Sequence, residues 1–204
     1  MEAVKNRFNG DFINNASLAL DESSSGISKA LSAVIPTGLA GILNKSTSGT
    51  DGANSVFDMA KNATNNLPEN TNLAGSENVQ KGNSNFSSLF GGNQSGIVSA
   101  ISGFAGIKDS SASSLMSMGL SYIMGILGKH AEQNNLSASG LAGFLSSEKD
   151  HIINALPAGL SSVTGILGLG SVDSLATANI KPHIYDTASD DTVADVTGTP
   201  GKSN

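Results

Sequence analysis

One apolar phrase occurs three times along this chain, and it constrains the fold more than any other feature. The copies are IPTGLAGIL at residues 35–43, GLSYIMGILG at 119–128 and LPAGLSSVTGILG at 156–168. The second and third copies align from Gly119 and Gly159 onward at an offset of 40 residues. Each copy is glycine-rich and uncharged, with Leu, Ile or Met at helical spacing, which predicts helix packing rather than chemistry.

Apolar residues recur at helical spacing along the chain and predict an all-α fold. The clearest stripe runs from Ile27 to Leu43 at a period of 3.6 residues, and Ser23–Ser25 offer N-cap side chains. Pro36 interrupts this stripe, so we expect a kink or a break between two short helices there. Ser137 is expected to cap a later short helix. No segment alternates apolar and polar residues long enough to predict a sheet.

Composition divides the chain into two related helical halves of short, Gly- and Pro-punctuated helices. Residues 64–84 combine Asn, Gly, Pro and Ser with few large apolar groups, which predicts a polar linker. The linker separates an N-terminal half at residues 1–63 from a C-terminal half at 85–180. Residues 181–204 carry four Asp and several Thr, and we expect them to form a flexible acidic tail.

The charge balance argues against nucleic acid as a partner. The net charge is −6, Arg7 is the single arginine, and the lysines are scattered without a cluster. A phosphate-binding surface needs concentrated basic residues, and so does electrostatic docking on an anionic membrane. The chain has no cysteine, which excludes disulfides, thiolate metal sites and cysteine nucleophiles.

The expected localisation is cytoplasmic. The N-terminus lacks an apolar core of signal-peptide length. The longest nearly uncharged apolar run, Met116–Gly128, has about 13 residues, whereas a spanning helix needs about 20. We therefore expect neither a signal peptide nor direct membrane insertion from this chain.

The order of the apolar motifs carries a family resemblance over about residues 15–170. In the first half the motif residues are Ala30, Leu31, Ile35, Pro36, Leu39, Gly41, Gly52, Ala53, Val56 and Phe57. In the second half they are Leu89, Gly91, Gly92, Leu115, Gly125, Leu127, Gly128, Lys129, Leu136, Ser137, Gly140, Leu141, Leu145, Leu156, Pro157, Gly159 and Leu160. This series resembles the bacterial domain-of-unknown-function 937 family, also called YidB-like.

The resemblance implies a helical protein to which no enzymatic activity is assigned. Many members continue into a membrane helix and a peptidoglycan-binding domain similar to outer-membrane protein A. This chain has neither element after its acidic tail, so we expect either a stand-alone member or a fragment of a longer envelope protein.

The histidines are the first candidates for a metal site, and we assign none to that role. Glu148 and His151 stand at the i, i+3 spacing of a helical zinc site, but a third ligand is missing. His130 has Glu132 only two residues away, and His183 lies in the tail. Solvated positions at helix ends are the expected reading, and the tail aspartates lack the spacing of a calcium loop.

Two sequence patterns suggest catalysis, and neither is supported by its surroundings. Ser146 and Lys149 form an S-x-x-K pattern without the partner motifs of serine acyl-enzymes, so we expect a helix start capped by Ser146 or Ser147. Residues 198–203, GTPGKS, lack the first glycine of a phosphate loop because Val196 stands there. We predict no catalytic residue, no cofactor and no metal.

The glycines of the repeated phrase leave two interpretations open. Gly119, Gly125 and Gly128 weaken a helix unless they allow close backbone approach, either within one subunit or between subunits. We favour packing within one subunit. The functional expectation is a non-enzymatic structural or self-assembly protein, a homo-oligomer. The alternative is an adaptor that holds a protein partner, associated with the bacterial cell envelope.

Overall fold

The computed structural model describes residues 10–64 and 76–168, and these residues are helical without a strand. Two short 3₁₀ turns, Gly91–Asn93 and Ala158–Leu160, separate helices. The α-helices are α1 (Gly10–Leu20), α2 (Ser24–Ser46), α3 (Thr50–Thr64), α4 (Ser76–Phe90), α5 (Gln94–Ala105), α6 (Asp109–Gln133), α7 (Ala138–Ser147), α8 (Lys149–Asn154) and α9 (Ser161–Ile166). The predicted all-α fold class is confirmed.

Helix α2 begins as the sequence predicts but continues where we expected it to break. The Ser23 hydroxyl caps it by accepting from the Gly26 N–H at 3.0 Å. Pro36 lies inside one continuous helix, so of the predicted kink or break, the break into two short helices is wrong. Proline removes the N–H that would reach the carbonyl of Ser32, and Ser32 is exposed, where water can satisfy that carbonyl. Tight packing holds the rest of the turn.

Two helices are buried on all sides and form the centre of the molecule. Every residue from Ala33 to Leu43 of α2 is buried, and so is the run from Leu115 to Leu120 of α6. A helix that is apolar around its whole circumference must be covered by other helices. Helices α2, α3, α4 and α5 all pack on α6.

Helices α2 and α6 lie side by side and run in the same direction. Near their N-terminal ends, an ideal Cβ on Gly26 would lie 2.8 Å from a methyl carbon of Ile107. Further along, a Cβ on Gly119 would lie 2.6 Å from the Val34 Cγ1 atom, and one on Gly38 would lie 3.0 Å from Ile123. Residue numbers increase in the same direction in both helices through these contacts. The first and second copies of the repeated phrase therefore pack against each other.

The same helix order occurs twice. Helices α5, α6 and α7 begin 84, 85 and 88 residues after α1, α2 and α3. The run Gly-Ile-Leu-x-Lys occupies the same place in both central helices, at 41–45 and 125–129. We call α1–α3 the first unit and α5–α7 the second unit.

Part of the predicted polar linker is helical. Residues 76–84 form the first part of α4, which packs on α6, so this part of the predicted linker is helical. Gly82 explains why: its missing side chain lets α4 approach the backbone of Ser117. Residues 65–75 and the predicted tail at 181–204 lie outside the described residues. Both predicted halves contribute to one hydrophobic cluster, and the domain boundaries themselves stay a prediction.

One helix, α2, is long and apolar enough to cross a membrane by length and composition. Its mean hydropathy over the most apolar stretch is 1.4, and 83% of that stretch is buried inside the protein. A core helix passes such a test, and so does a signal sequence near an N-terminus. The prediction that Met116–Gly128 is the longest uncharged apolar run was wrong, because the uncharged stretch of α2 between Lys29 and Lys45 is longer.

Candidate functional site

The glycines of the central helices are contact points within the chain. A Cβ on Gly128 would lie 2.1 Å from the carbonyl oxygen of Ala60, and one on Gly41 would overlap the Phe90 ring. Real Cβ atoms do not approach other atoms so closely, because packing at this distance is repulsive. These glycines therefore allow α3 to lie on α6, and allow α4 to lie on α2.

Equivalent glycines in the second and third copies of the phrase have different surroundings. Gly125 is buried in α6, whereas Gly165 is exposed in α9 and has open space where a Cβ would stand. The alignment of the two copies at an offset of 40 residues makes Gly125 and Gly165 equivalent in sequence. Packing within one subunit, the interpretation we favoured, fits Gly119, Gly125 and Gly128, while Gly165 is free to face solvent.

The candidate metal pair lies at an exposed helix end. His151 Nδ1 is 3.4 Å from Glu148 Oε2, and three-quarters of the His151 side chain is accessible. Within residues 10–64 and 76–168, no group of three His, Asp or Glu side chains could hold a metal ion. An exposed contact of this kind contributes little to stability.

His130 is placed at the end of α6 against α7. Its ring lies 4.4 Å from the Phe144 ring, centroid to centroid, at an angle of 34°. Asn134 Nδ2 lies 3.3 Å from His130 Nδ1 and donates to the His130 carbonyl at 2.9 Å. The ring therefore packs α7 against α6. His183, the tail aspartates and residues 198–203 lie outside the described residues.

The S-x-x-K serine does not begin a helix. Ser146 Oγ donates to the Ala142 carbonyl at 2.8 Å, and Ser147 Oγ donates to the Phe144 carbonyl at 2.7 Å. Both serines belong to the last turn of α7, and α8 begins after Glu148, so the predicted capping role is wrong. The cap we predicted at Ser137 is confirmed, since its hydroxyl accepts from the Gly140 N–H at 3.2 Å.

A polar cluster that the sequence analysis missed joins the N-terminal ends of the two central helices. Glu22 Oε1 accepts from the backbone N–H of Lys108 at 2.8 Å, and Lys108 Nζ lies 3.2 Å from Asp21 Oδ2. The Lys108 N–H bond, followed by a bond from the Ser111 side chain, lowers the pKa of Glu22 below its usual value. Glu22 thus precedes α2 but caps α6. Residues 86 positions apart give no local sequence signal.

Two open clefts lie near the C-terminal ends of the central helices. One, of about 300 Å³, lies between α3 and the end of α6; Phe57 and Leu136 line it, with Lys61 and Glu132 beside them. The other, of about 480 Å³, is lined by small polar residues that include Ser46, Thr50, Asn54, Ser137 and Ser139. Neither cleft brings together an acid, a base and a nucleophile, as a hydrolytic site requires.

The fold and these sites define an all-α protein built around two buried, glycine-packed helices. The chain belongs to the family described as a bacterial protein of unknown function (DUF937), whose model matches residues 2–130. That match confirms the predicted family resemblance. It covers the first unit and the second unit as far as His130. The resemblance we predicted for residues 131–170 stays a prediction. No curated protein and no solved structure matches the chain.

Proposed function

We propose that the protein is a non-enzymatic structural component that assembles into homo-oligomers. The proposal rests on the positions of the small, apolar and titratable residues in the fold. Small and apolar residues fill the buried stretches of α2 and α6, whereas His130 packs at the end of α6, apart from the exposed pair of Glu148 and His151. Catalysis requires such groups to converge in a pocket.

The serines, the most abundant reactive side chain type, are engaged in the helices themselves. Ser114 donates to the Ser110 carbonyl at 3.0 Å, and Ser46 donates to the Leu43 carbonyl at 2.9 Å. Such bonds to a preceding turn satisfy the hydroxyl without a base to activate it. This engagement supports a structural role rather than an enzymatic one.

Weak surface charge supports self-association. Charged residues make up 14% of the chain, below the usual ~25%, so two copies approach each other with little repulsion. The glycine faces that we first considered for this contact are used inside the subunit at Gly119 and Gly128. In a single subunit those glycines are therefore not exposed for a second copy to bind.

Size-exclusion chromatography with light scattering over a concentration series tests the proposal, followed by electron microscopy of the largest species. We expect particles heavier than the 20.5 kDa chain, with their proportion rising with concentration. A single 20.5 kDa species at every concentration overturns the proposal.

The second candidate function is an adaptor that holds a protein partner at the bacterial cell envelope. The cleft between α3 and α6 favours it, because Phe57 and Leu136 offer an apolar lining next to Lys61. A monomeric protein that retains one partner through this cleft, and loses it on Phe57→Ala, would favour the adaptor over self-assembly.

The proposed localisation is the cytoplasm, with α2 acting as a core helix. The burial of 83% of its apolar stretch supports this role over a membrane span. Fractionation of cells tests it: recovery of the full-length chain in the soluble cytoplasmic fraction is expected. Recovery with membranes, or cleavage within α2, would support a signal or anchor instead.

A further inference from the structure

Each unit covers the apolar surface of the other. The central helices α2 and α6 pack along their length, and α3 of the first unit packs on α6 of the second. Helix α7 of the second unit contacts α3 and α2 of the first. The contact between units is therefore the core of the protein and not a surface patch.

The two units are connected through a segment of 11 residues that lies outside the described residues. Helix α4 stays with the second unit, since Gly82 contacts the Ser117 backbone and Ser117 Oγ donates to Asn83. The connection is therefore residues 65–75, between Thr64 and Ser76. An 11-residue chain can span up to roughly 36–40 Å when extended.

Apart from the cleft lined by Phe57 and Leu136, the outer surface of the described residues gives little apolar area for association. Leu18 is the one large hydrophobic side chain that is strongly exposed there, at 83%. Stable interfaces between copies need a buried apolar centre. Among the described residues, the contact between units is the place where a second copy would find one.

We propose that two copies of this chain associate by exchanging units, so that α1–α3 of one copy packs on α5–α7 of the other. The exchanged dimer makes the same contacts between units as the monomer does within one chain. Reciprocal exchange closes a dimer, and exchange that does not close extends into a chain of copies. This inference rests on the proposed function, because it gives the mechanism of self-assembly.

Cross-linking across the junction of the units tests the exchange. Asp21 and Lys108 touch at 3.2 Å across it, and 97% and 58% of their side chains are exposed. A tagged chain carrying Asp21→Cys is co-expressed with an untagged chain carrying Lys108→Cys and treated with a short bismaleimide. The wild-type chain has no cysteine, so each chain has a single reactive site. A chain carrying both substitutions shows that the reagent spans the junction.

The control pair replaces Asp21→Cys with Lys61→Cys. Lys61 lies beside Glu132, and Glu132 is about 36 Å along α6 from Lys108. We expect on the order of tenfold or more cross-linked tagged–untagged pairs for the Asp21 variant than for the control, because a held junction gives millimolar effective concentration.

Three outcomes separate this inference from the proposed function. Excess cross-linking of the Asp21 pair over the control supports the exchange. Oligomers by light scattering with cross-linking no higher than the control overturn the exchange and leave self-assembly standing. Monomers alone, with cross-links only in the doubly substituted chain, overturn both.

Discussion

Gly119 of α6 lies directly against Val34 of α2, so close that a Cβ at Gly119 would be 2.6 Å from the Val34 Cγ1 atom. Gly119 opens the second copy of the repeated phrase, and Val34 immediately precedes the first copy. This contact fixes how near the two central helices can lie, and helices α3, α4 and α5 pack on that pair.

Gly119→Ala should lower the free energy of unfolding by about 1–3 kcal/mol, because the added methyl overpacks a tight helix contact. Gly103→Ala is the matched control, since Gly103 lies in α5 with open space around its Cα. There alanine should stabilise the helix by about 0.5–1 kcal/mol. Denaturant unfolding of both variants gives the comparison. Equal effects would show that the contact at Gly119 is not tight.

Leu39→Asp should unfold the protein as a whole. Leu39 is 7% exposed in the buried stretch of α2, and an unpaired charge there costs several kcal/mol, comparable to total stability. Leu18→Asp places the same charge on a residue that is 83% exposed, and it should leave the melting temperature nearly unchanged. Circular dichroism melts that do not distinguish the two variants would contradict the assignment of this face to the core.

Thr37→Val should raise the free energy of unfolding by about 1–2 kcal/mol. The Thr37 hydroxyl is fully buried and has no hydrogen-bond partner in the described part of the chain. Valine keeps the shape and removes the unsatisfied polar group. Ser46→Ala is the control, since the buried Ser46 hydroxyl does have a partner in the Leu43 carbonyl. A loss of stability on Thr37→Val would mean that its hydroxyl is bonded.

Protonation of Glu22 should make the protein less stable in acid. Its folded pKa lies below the usual 4.5, first because its carboxylate accepts from the Lys108 N–H. Its contribution is therefore complete above pH 4.5 and is lost as pH falls through the folded pKa. Glu22→Gln should weaken this part of the pH dependence, measured by denaturant unfolding at neutral and acid pH. An unchanged pH profile in the variant would remove Glu22 from the account.

The sequence predicted the helices well because their apolar periodicity and caps are local. The caps at Ser23 and Ser137 follow from neighbouring residues. The break at Pro36 was wrong because burial on all sides outweighs one missing hydrogen bond. Helix α4 was missed because its polar, low-propensity sequence is held by contacts with Ser117 and Gly41, which lie far away in the chain.

The polar cluster at Asp21, Glu22 and Lys108 was beyond sequence reasoning for the same reason. A carboxylate that caps the helix of another unit leaves no pattern at fixed spacing. The sequence also did not reveal which glycines are buried and which are exposed, since Gly125 and Gly165 share a motif but differ in burial. Local patterns give the elements, whereas their partners depend on how the units meet.

Native-state hydrogen exchange, measured by mass spectrometry along a denaturant series, tests most directly whether the repeated phrases build one core for both units. We predict that the slowest amides of α2 and α6 open together, with the same free energy and the same denaturant dependence, because the two helices share one buried contact. Slow amides of α2 that open at a distinctly lower free energy than those of α6 would contradict the shared core.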